Sequence, residues 1–180
     1  CREKKHEKPN IIFIMSDDHA FQAIGAYNSR FASLDPTPTI DRLAEEGMVL
    51  ENVFCTNSIC IPSRATILTG QYSNTNGVKG LYDSIPPVQQ YLPKELNKAG
   101  YQTAVVGKWH GRSSPEAFDY FSVLSGQGNY NDPLLYSRNE GSIREIRIDS
   151  KLTKKRRVKE YKGHTSDIIT DISLDWLKNK

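Results

Sequence analysis

The segment over residues 60–70 constrains the fold and the chemistry of this chain more than any other part of the sequence. Pro62 suits the first position of a helix, because the amide hydrogen that proline lacks would have no partner there. Gly70 can end the same helix in the left-handed conformation. Cys60 would then lie where unpaired backbone N–H groups and the helix dipole favour an anion. Arg64, about one turn further along, can reach back with a planar fork of donors. The segment therefore predicts a nucleophile beside an anion-binding helix start.

The run Cys-x-Pro-Ser-Arg-x-x-x-Leu-Thr-Gly, which begins at Cys60, resembles the signature of the type I sulfatases at every fixed position. The resemblance implies that a maturation enzyme oxidises Cys60 to Cα-formylglycine, whose hydrated aldehyde is the nucleophile. One oxygen of such a geminal diol can attack sulfur, and the other can collapse back to the aldehyde and expel sulfate. A cysteine taken alone is more often a small buried residue, so the interpretation depends on the neighbouring fixed positions.

Two adjacent carboxylates, Asp17 and Asp18, follow a continuous apolar run over residues 10–15. The run predicts a strand buried on both faces of a parallel sheet, and ligands bind outside the carboxyl ends of such strands. The pair either caps the following segment or holds a hard cation, calcium or magnesium. Sulfatases carry an Asp-Asp pair after their first strand. The resemblance therefore implies that Asp17, Asp18 and an oxygen of the modified Cys60 ligate Ca²⁺, with Mg²⁺ as the alternative.

A second group of candidate residues is Lys108-Trp109-His110, which follows a predicted strand. Lys108 and His110 either face solvent and backbone partners or serve an active site as a cation and a proton carrier. Gly-Lys-Trp-His resembles a second sulfatase signature, which implies that Lys108 binds a sulfate oxygen and that His110 assists proton transfer. The family continues with Leu-Gly, whereas this chain has Gly111-Arg112, so the path of the loop after His110 is left open.

Apolar runs alternate with helical patterns, which indicates an α/β fold with a parallel or mixed central sheet flanked by helices. Helices are predicted over residues 39–46, 62–69, 91–99 and 165–178, strands over 10–15, 48–54 and 101–106, a long loop over 118–133 and an exposed hairpin over 143–161. The resemblance implies the N-terminal portion of an alkaline-phosphatase-like sulfatase domain over residues 9–180. The family's remaining metal ligands, and a further lysine and histidine, would then lie outside these 180 residues.

Composition describes an ordinary soluble globular chain, with 37% hydrophobic and 25% charged residues. The net charge of +3 is too small to argue for a nucleic-acid partner, and no apolar run approaches the length that spans a bilayer. Three cysteines do not make a disulfide framework, and Cys55 is expected to be a small core residue.

Cys1 and the charged residues 2–8 resemble a bacterial lipoprotein after cleavage of its signal peptide. Cys1 would carry the lipid and residues 1–8 would form a tether, which would place the protein in the periplasm or at the cell surface, on a membrane but not through it. The alternative is an arbitrary chain start.

Three weaker signals concern the substrate. Residues 126–131 and 165–171 resemble segments of sulfatases that act on N-acetylglucosamine 6-sulfate, and the first is otherwise a loop of small residues. His19 is either a substrate contact or a surface residue. Residues 151–159 contain six basic residues, which form either a solvated face or a surface that steers a polyanionic glycan.

The predicted function is a sulfuric ester hydrolase acting on a sulfated carbohydrate, such as glycosaminoglycan-derived N-acetylglucosamine 6-sulfate. The alternatives are a phosphate or phosphonate ester hydrolase of the same superfamily, or an inactive remnant.

Overall fold

The computed structural model describes residues 8–28, 30–110, 112, 114–149 and 152–180. These residues divide into two compact units, one ending at Phe54 and the other extending over Cys55–Lys180. Cys1 and most of the predicted tether lie outside the described residues, so the tether stays a prediction. None of the helices found in the described ranges is long and apolar enough to cross a membrane.

The first unit contains one α-helix, α1, over Pro38–Glu46. The sequence predicts this helix from residue 39, and it begins one residue earlier because proline fits the first turn of a helix. The Asp41 carboxylate accepts hydrogen bonds from the Ala26 amide at 2.8 Å and from the Thr37 hydroxyl at 3.0 Å. These contacts fix α1 against the short 3-10 turn at Gly25–Tyr27.

The two strands predicted for the first unit, over residues 10–15 and 48–54, are wrong for this structure. Neither segment forms a strand, and all their side chains are exposed, including Ile14 at 85% and Phe54 at 83%. A strand buried on both faces needs neighbouring strands for its backbone and covering layers for its side chains. No strand among the described residues pairs with either segment, so apolar sequence alone does not produce the strand here.

A mixed sheet of five strands forms the centre of the second unit, in the order β1-β2-β3-β5-β4. The strands are β1 Ala104–Gly107, β2 Tyr120–Leu124, β3 Leu134–Ser137, β4 Ser142–Asp149 and β5 Leu152–Glu160. Only β1 and β2 run parallel, and the other three pairs are antiparallel. The mixed α/β sheet is confirmed, although alternation with helices alone would have favoured a more parallel one.

Strand β2 lies inside the segment predicted as a long loop over residues 118–133, which is a correction. Its Phe121 and Val123 are buried, and Val123 lies opposite Tyr136 of β3. The Gly, Asn and Asp residues that follow obscured a short apolar run in the sequence. Only the later part of the segment is loop.

The hairpin predicted over residues 143–161 is confirmed as β4 and β5. Gly141 precedes it with a φ of +85°, and a Cβ there would lie 2.0 Å from the backbone oxygen of Val158. Only glycine fits this close approach. Ile146 and Val158 are buried, and they attach the hairpin to the core.

In the part of the second unit that the structure describes, four α-helices accompany the sheet. They are α2 Cys60–Thr69, α3 Ser73–Asn76, α4 Leu92–Lys98 and α5 Thr165–Lys178. Helix α5 has its predicted bounds. Its N-cap residue His164 accepts a hydrogen bond from the Ser166 amide at 3.3 Å, and Trp176 stacks on Tyr120 of β2 with ring centroids 6.3 Å apart. The amphipathic pattern therefore located α5 correctly.

The core of the second unit has two clusters. The larger contains eight buried residues from the sheet and its flanks: Tyr91, Trp109, Phe118, Phe121, Val123, Tyr136, Ile146 and Val158. The smaller contains Ile61, Ala65 and Val78 beneath α2. Ile85 packs against both clusters, so α2 and the sheet are held in one unit.

Substitution of Leu135→Ala tests the burial of strand β3. Leu135 is 2% exposed, and truncation of such a leucine leaves a cavity, so we expect the free energy of unfolding to fall by about 2–5 kcal/mol. Chemical denaturation monitored by circular dichroism measures the change. The control Leu177→Ala, at a leucine that is 44% exposed, should change it by less than about 0.5 kcal/mol. Equal losses would contradict the placement of β3 in the core.

Candidate functional site

The candidate nucleophile Cys60 is the first residue of α2, after Ile59 in extended backbone. The predicted helix is confirmed, but Pro62 occupies its third position and not its first. This is tolerated because the first four backbone amides of a helix have no partner within it. Gly70 ends α2 with a φ of +65°, as the sequence predicts. Cys60 is thus held at the end of the helix where the backbone amides point outward.

Helix α2 is anchored on the side that carries Ile61 and Ala65, which are buried against Val78. The Thr69 hydroxyl donates to the Ala65 carbonyl at 2.7 Å and accepts from the Asn76 amide group of α3 at 3.3 Å. Cys60 packs at the edge of this cluster and is half-buried. Its position is therefore rigid, while part of its surface remains accessible.

Arg64 joins the two sequence motifs. Its Nη1 donates a hydrogen bond to the backbone carbonyl of Lys108, which is 44 residues away in the sequence. Both residues are half-buried. A guanidinium has five donors, so this bond uses one of them and directs the group toward the loop after β1. The structure therefore brings Arg64 of the first motif against Lys108 of the second.

His110 lies in the same region, on the wall of a small cleft that Arg64 also lines. Its φ of +47° is a left-handed conformation that a residue with a Cβ rarely adopts, and its Nδ1 atom is buried. Trp109 beside it is 5% exposed and packs edge-to-face on Phe118, with ring centroids 6.0 Å apart. The buried tryptophan fixes a strained loop, and such strain is typical of functional sites.

The loop after His110 departs from the family pattern, and Arg112 shows where it goes. Its Nη1 donates to the Tyr82 carbonyl at 2.9 Å, and its guanidinium lies 5.4 Å from the centroid of the Tyr82 ring. Gly111 and Ser113 lie outside the described residues. Arg112 therefore attaches this loop to the segment around Tyr82. The sequence did not indicate this contact.

Asp17 and Asp18, the predicted metal ligands, belong to the first unit. Both are exposed, as is His19, and Asp18 has a φ of +52°. Their carboxylate oxygens are the hard donors that calcium and magnesium prefer, but such ions take about six or more oxygen ligands. In the described ranges, no group of three or more His, Cys, Asp or Glu residues could hold a metal ion. The pair fits part of a metal site, and its role stays a prediction.

Cys55 is exposed, so its prediction as a core residue is wrong. Its thiol donates to the backbone oxygen of Asn57 at 3.1 Å and lies 3.5 Å from the Ser63 hydroxyl. The polar segment that follows Cys55 makes a turn before α2 and leaves no apolar surroundings for the thiol.

Two segments that resemble parts of glucosamine-specific sulfatases contact each other. The Thr165 hydroxyl at the start of α5 donates to the Asn129 carbonyl, and the Thr165 amide donates to the Tyr130 carbonyl at 2.8 Å. The Tyr130 side chain is 84% exposed. The loop over residues 126–131 is thus fixed by α5, with an aromatic ring presented to solvent.

Asp83 is a residue near the site that the sequence analysis missed. It lines the cleft of Arg64 and His110, and its Oδ2 accepts hydrogen bonds from the Lys79 and Gly80 amides, both at 2.9 Å. These bonds, that from Lys79 foremost, lower the pKa of the half-buried Asp83 carboxyl below its ordinary value of 3.8. The signal in the sequence was an aspartate three residues after a glycine, a turn pattern.

Comparison with known proteins identifies the family. The Sulfatase family model matches residues 9–180. An N-acetylglucosamine-6-O-sulfatase of Bacteroides thetaiotaomicron is 38% identical over 99% of this chain and 29% of its own length. The human N-acetylgalactosamine-6-sulfatase is 34% identical over 61% of this chain and 23% of its own length. A solved structure in complex with its substrate D-glucosamine-2-N,6-O-disulfate is 40% identical, with a TM-score of 0.82, over 97% of this chain and 32% of that chain.

The chain therefore belongs to the Sulfatase family, whose characterised relatives are sulfuric ester hydrolases. Membership implies, for the family in general, a metal ion and a formylglycine in the catalytic site. The chain spans about a third or less of the length of these relatives.

The turn at Asp83 gives a pH-dependent prediction. Because its pKa is lowered in the fold, the bonds to Lys79 and Gly80 are present above pH 3.8 and are lost as the pH falls through the lowered pKa. The amide NMR shifts of Lys79 and Gly80 should therefore titrate together with a midpoint below 3.8. Substitution of Asp83→Asn should remove that titration. A midpoint at or above 3.8 would contradict the proposed bonding.

Proposed function

We propose that the protein is a sulfuric ester hydrolase that removes sulfate from a carbohydrate containing sulfated glucosamine. The observation that carries this proposal is the hydrogen bond from Arg64 to the Lys108 carbonyl, which joins the two sulfatase motifs. Cys60 lies one helical turn before Arg64 at the start of α2. A nucleophile position and two cations are thus associated in one unit of the chain.

Cys60 is the proposed nucleophile position. After oxidation to formylglycine, its hydrated aldehyde would supply an oxygen nucleophile in place of the thiol. The backbone amides at the start of α2 and the helix dipole favour negative charge there. Packing of α2 on Ile61 and Ala65 restricts the motion of residue 60, so the reacting group is presented in a defined direction.

Arg64 and Lys108 are the proposed stabilisers of the charge that develops on the sulfate oxygens. Both are half-buried, where a cation acts more strongly on an anion than it does in water. The Arg64 guanidinium is already oriented by its bond to the Lys108 carbonyl, so little reorganisation accompanies the reaction. Removal of one such oriented donor from an enzyme costs about 10²–10³ in kcat.

His110 is the proposed proton carrier. An imidazole exchanges a proton near neutral pH, and its ring is held beside the cleft that Arg64 lines.

Asp17 and Asp18 are proposed to hold a divalent metal together with an oxygen of the modified residue 60. Bound calcium or magnesium would polarise the sulfate and lower the pKa of the nucleophile. Calcium is our first choice, because it accepts carboxylate ligands in flexible geometry. Among the described residues, no group of three or more His, Cys, Asp or Glu side chains completes this site, so Asp17 and Asp18 would supply only part of the about six or more ligands of such an ion.

A sulfated glucosamine is the proposed substrate for two reasons. Relatives that this chain resembles are an N-acetylglucosamine-6-O-sulfatase and a protein crystallised with D-glucosamine-2-N,6-O-disulfate. The loop over residues 126–131 is also fixed against α5 and exposes Tyr130, which suits contact with a sugar ring. A lipid on Cys1 and a position at the cell surface or in the periplasm are part of the same proposal.

Substitution of Cys60→Ala should abolish release of sulfate from glucosamine 6-sulfate, because the nucleophile is lost. Sulfate release is measured by ion chromatography, and circular dichroism checks the fold. The control Cys55→Ala, which removes an exposed thiol, should keep most of the activity. Sulfate release by the Cys60 variant at the wild-type rate would refute the mechanism, and faster hydrolysis of the matched phosphate ester would favour a phosphatase.

Removal of metal by EDTA should abolish the same activity, and Ca²⁺ should restore it better than Mg²⁺. Substitution of Asp18→Asn should weaken Ca²⁺ binding, measured by calorimetry, by more than about tenfold, since even residues that only orient a metal ligand are worth 10–100-fold in affinity. Asp35→Asn is the control, because Asp35 is likewise exposed and left-handed, with a φ of +47°. Equal Ca²⁺ affinity in the two variants would exclude Asp18 as a ligand.

A further inference from the structure

A second candidate binding site is a groove of about 570 Å³ at the base of the β4–β5 hairpin. The charged residues that line it are four cations, Arg138, Lys155, Arg156 and Arg157, and one acid, Glu116. None of them belongs to the two sulfatase motifs. Strand β3 pairs with β5 only as far as Arg157, so Arg156 and Lys155 lie beyond the end of β3 and open the groove. The volume lies within the range of small-ligand sites.

Positive charge is concentrated in this hairpin. Residues 142–160 contain eight basic and three acidic residues, a net charge of +5, whereas the whole chain carries +3. Two of the nearby acids are already paired with hairpin cations, Glu160 with Arg144 at 2.5 Å and Glu140 with Lys159 at 3.9 Å. Neither neutralises the residues that line the groove.

The four groove cations bond to backbone carbonyls or remain in solvent. Arg138 donates to the Glu116 and Phe118 carbonyls, each at 2.9 Å, and Arg157 donates to the Gly141 carbonyl at 3.4 Å. Within the described part of the chain, no carboxylate forms an ion pair with any of the four. Carbonyl contacts orient these groups without cancelling their charge, so the groove keeps a positive potential.

The hairpin also contains a like-charge contact. Arg144 of β4 lies directly opposite Arg156 of β5 in the antiparallel register. Two like charges in this position destabilise a strand pair. Glu160 already pairs with Arg144, whereas Arg156 lines the groove, so an anion bound in the groove would offset the charge of Arg156. Arg138 is held above the Phe121 ring, with 5.7 Å from its guanidinium to the ring centroid, so one wall of the groove is ordered in advance.

From this geometry we infer that the groove binds a sulfated segment of a glycan chain, apart from the sulfate group that is cleaved. The choice of a sulfated glycan rests on the proposed function. Residues 142–160 contain no aromatic residue, and the Phe121 ring that lines the groove is only 4% exposed, so the groove lacks the stacking platform that binds single-stranded nucleic acid. The groove would hold a longer substrate on the protein through sulfate groups that are not hydrolysed.

The test compares binding of a heparin hexasaccharide with binding of the same hexasaccharide after desulfation, by calorimetry. Substitution of Lys155→Gln together with Arg157→Gln should weaken binding of the sulfated form about tenfold, because charge-assisted hydrogen bonds to sulfate are lost. The matched control is Lys94→Gln with Lys178→Gln, which removes two exposed lysines outside the hairpin and should change affinity by less than about twofold.

This test distinguishes a failure of the groove proposal from a failure of the catalytic proposal. Cys60→Ala should bind the hexasaccharide as the wild type does, even where it has no activity. Equal losses in the hairpin variant and its control, equal affinity for the desulfated form, or no binding at all would overturn the inference. Equally tight binding of an oligothymidylate would overturn the assignment to a sulfated glycan.

Discussion

The hydrogen bond between Arg64 and the Lys108 carbonyl is the interaction on which the candidate site depends. It closes a loop of more than forty residues and fixes the start of α2 relative to the end of β1. Neither motif could supply a site by itself, since Cys60 and Arg64 lie on a helix and Lys108 lies after a strand. Because the acceptor is the main-chain oxygen of Lys108, the bond positions the Arg64 guanidinium without involving the charged Lys108 side chain.

Strand pairing explains why the apolar segments of the two units differ in structure. In the second unit, buried residues such as Val123 and Val158 have strand neighbours, and the elements around them are well formed. In the first unit, the equally apolar residues 10–15 have no pairing strand among the described residues and are exposed. Asp17 and Asp18 follow that segment, so no strand fixes their position. Cys60, in contrast, is held at the start of a packed helix.

Sequence patterns predicted the elements that carry their own signals. The helical pattern over residues 39–46, Gly70 and the apolar stripe of α5 located three helices to within a residue or two, and the alternating residues 143–161 located the hairpin. The predictions failed where strand formation or burial depends on residues distant in the sequence. The failures are the strand over residues 10–15, the burial of Cys55, and β2, which the polar residues after it concealed. The sequence motifs identified Arg64 and Lys108, but only the tertiary structure reveals the hydrogen bond between them and the left-handed backbone of His110. It also reveals that Asp83 lines the same cleft.

The two cationic regions of the second unit differ in a way that suits different tasks. Arg64 and Lys108 are half-buried and few, so each acts strongly on one anion and tolerates little displacement. Arg138, Lys155 and Arg157 are exposed and numerous, so each contributes weakly to the binding of an anion. Salt at 0.1 M ionic strength screens their interactions with charges more than about 10 Å away. The first arrangement favours chemistry on a single sulfate group. The second favours retention of a densely charged chain, with affinity that grows with the number of sulfates and falls with salt.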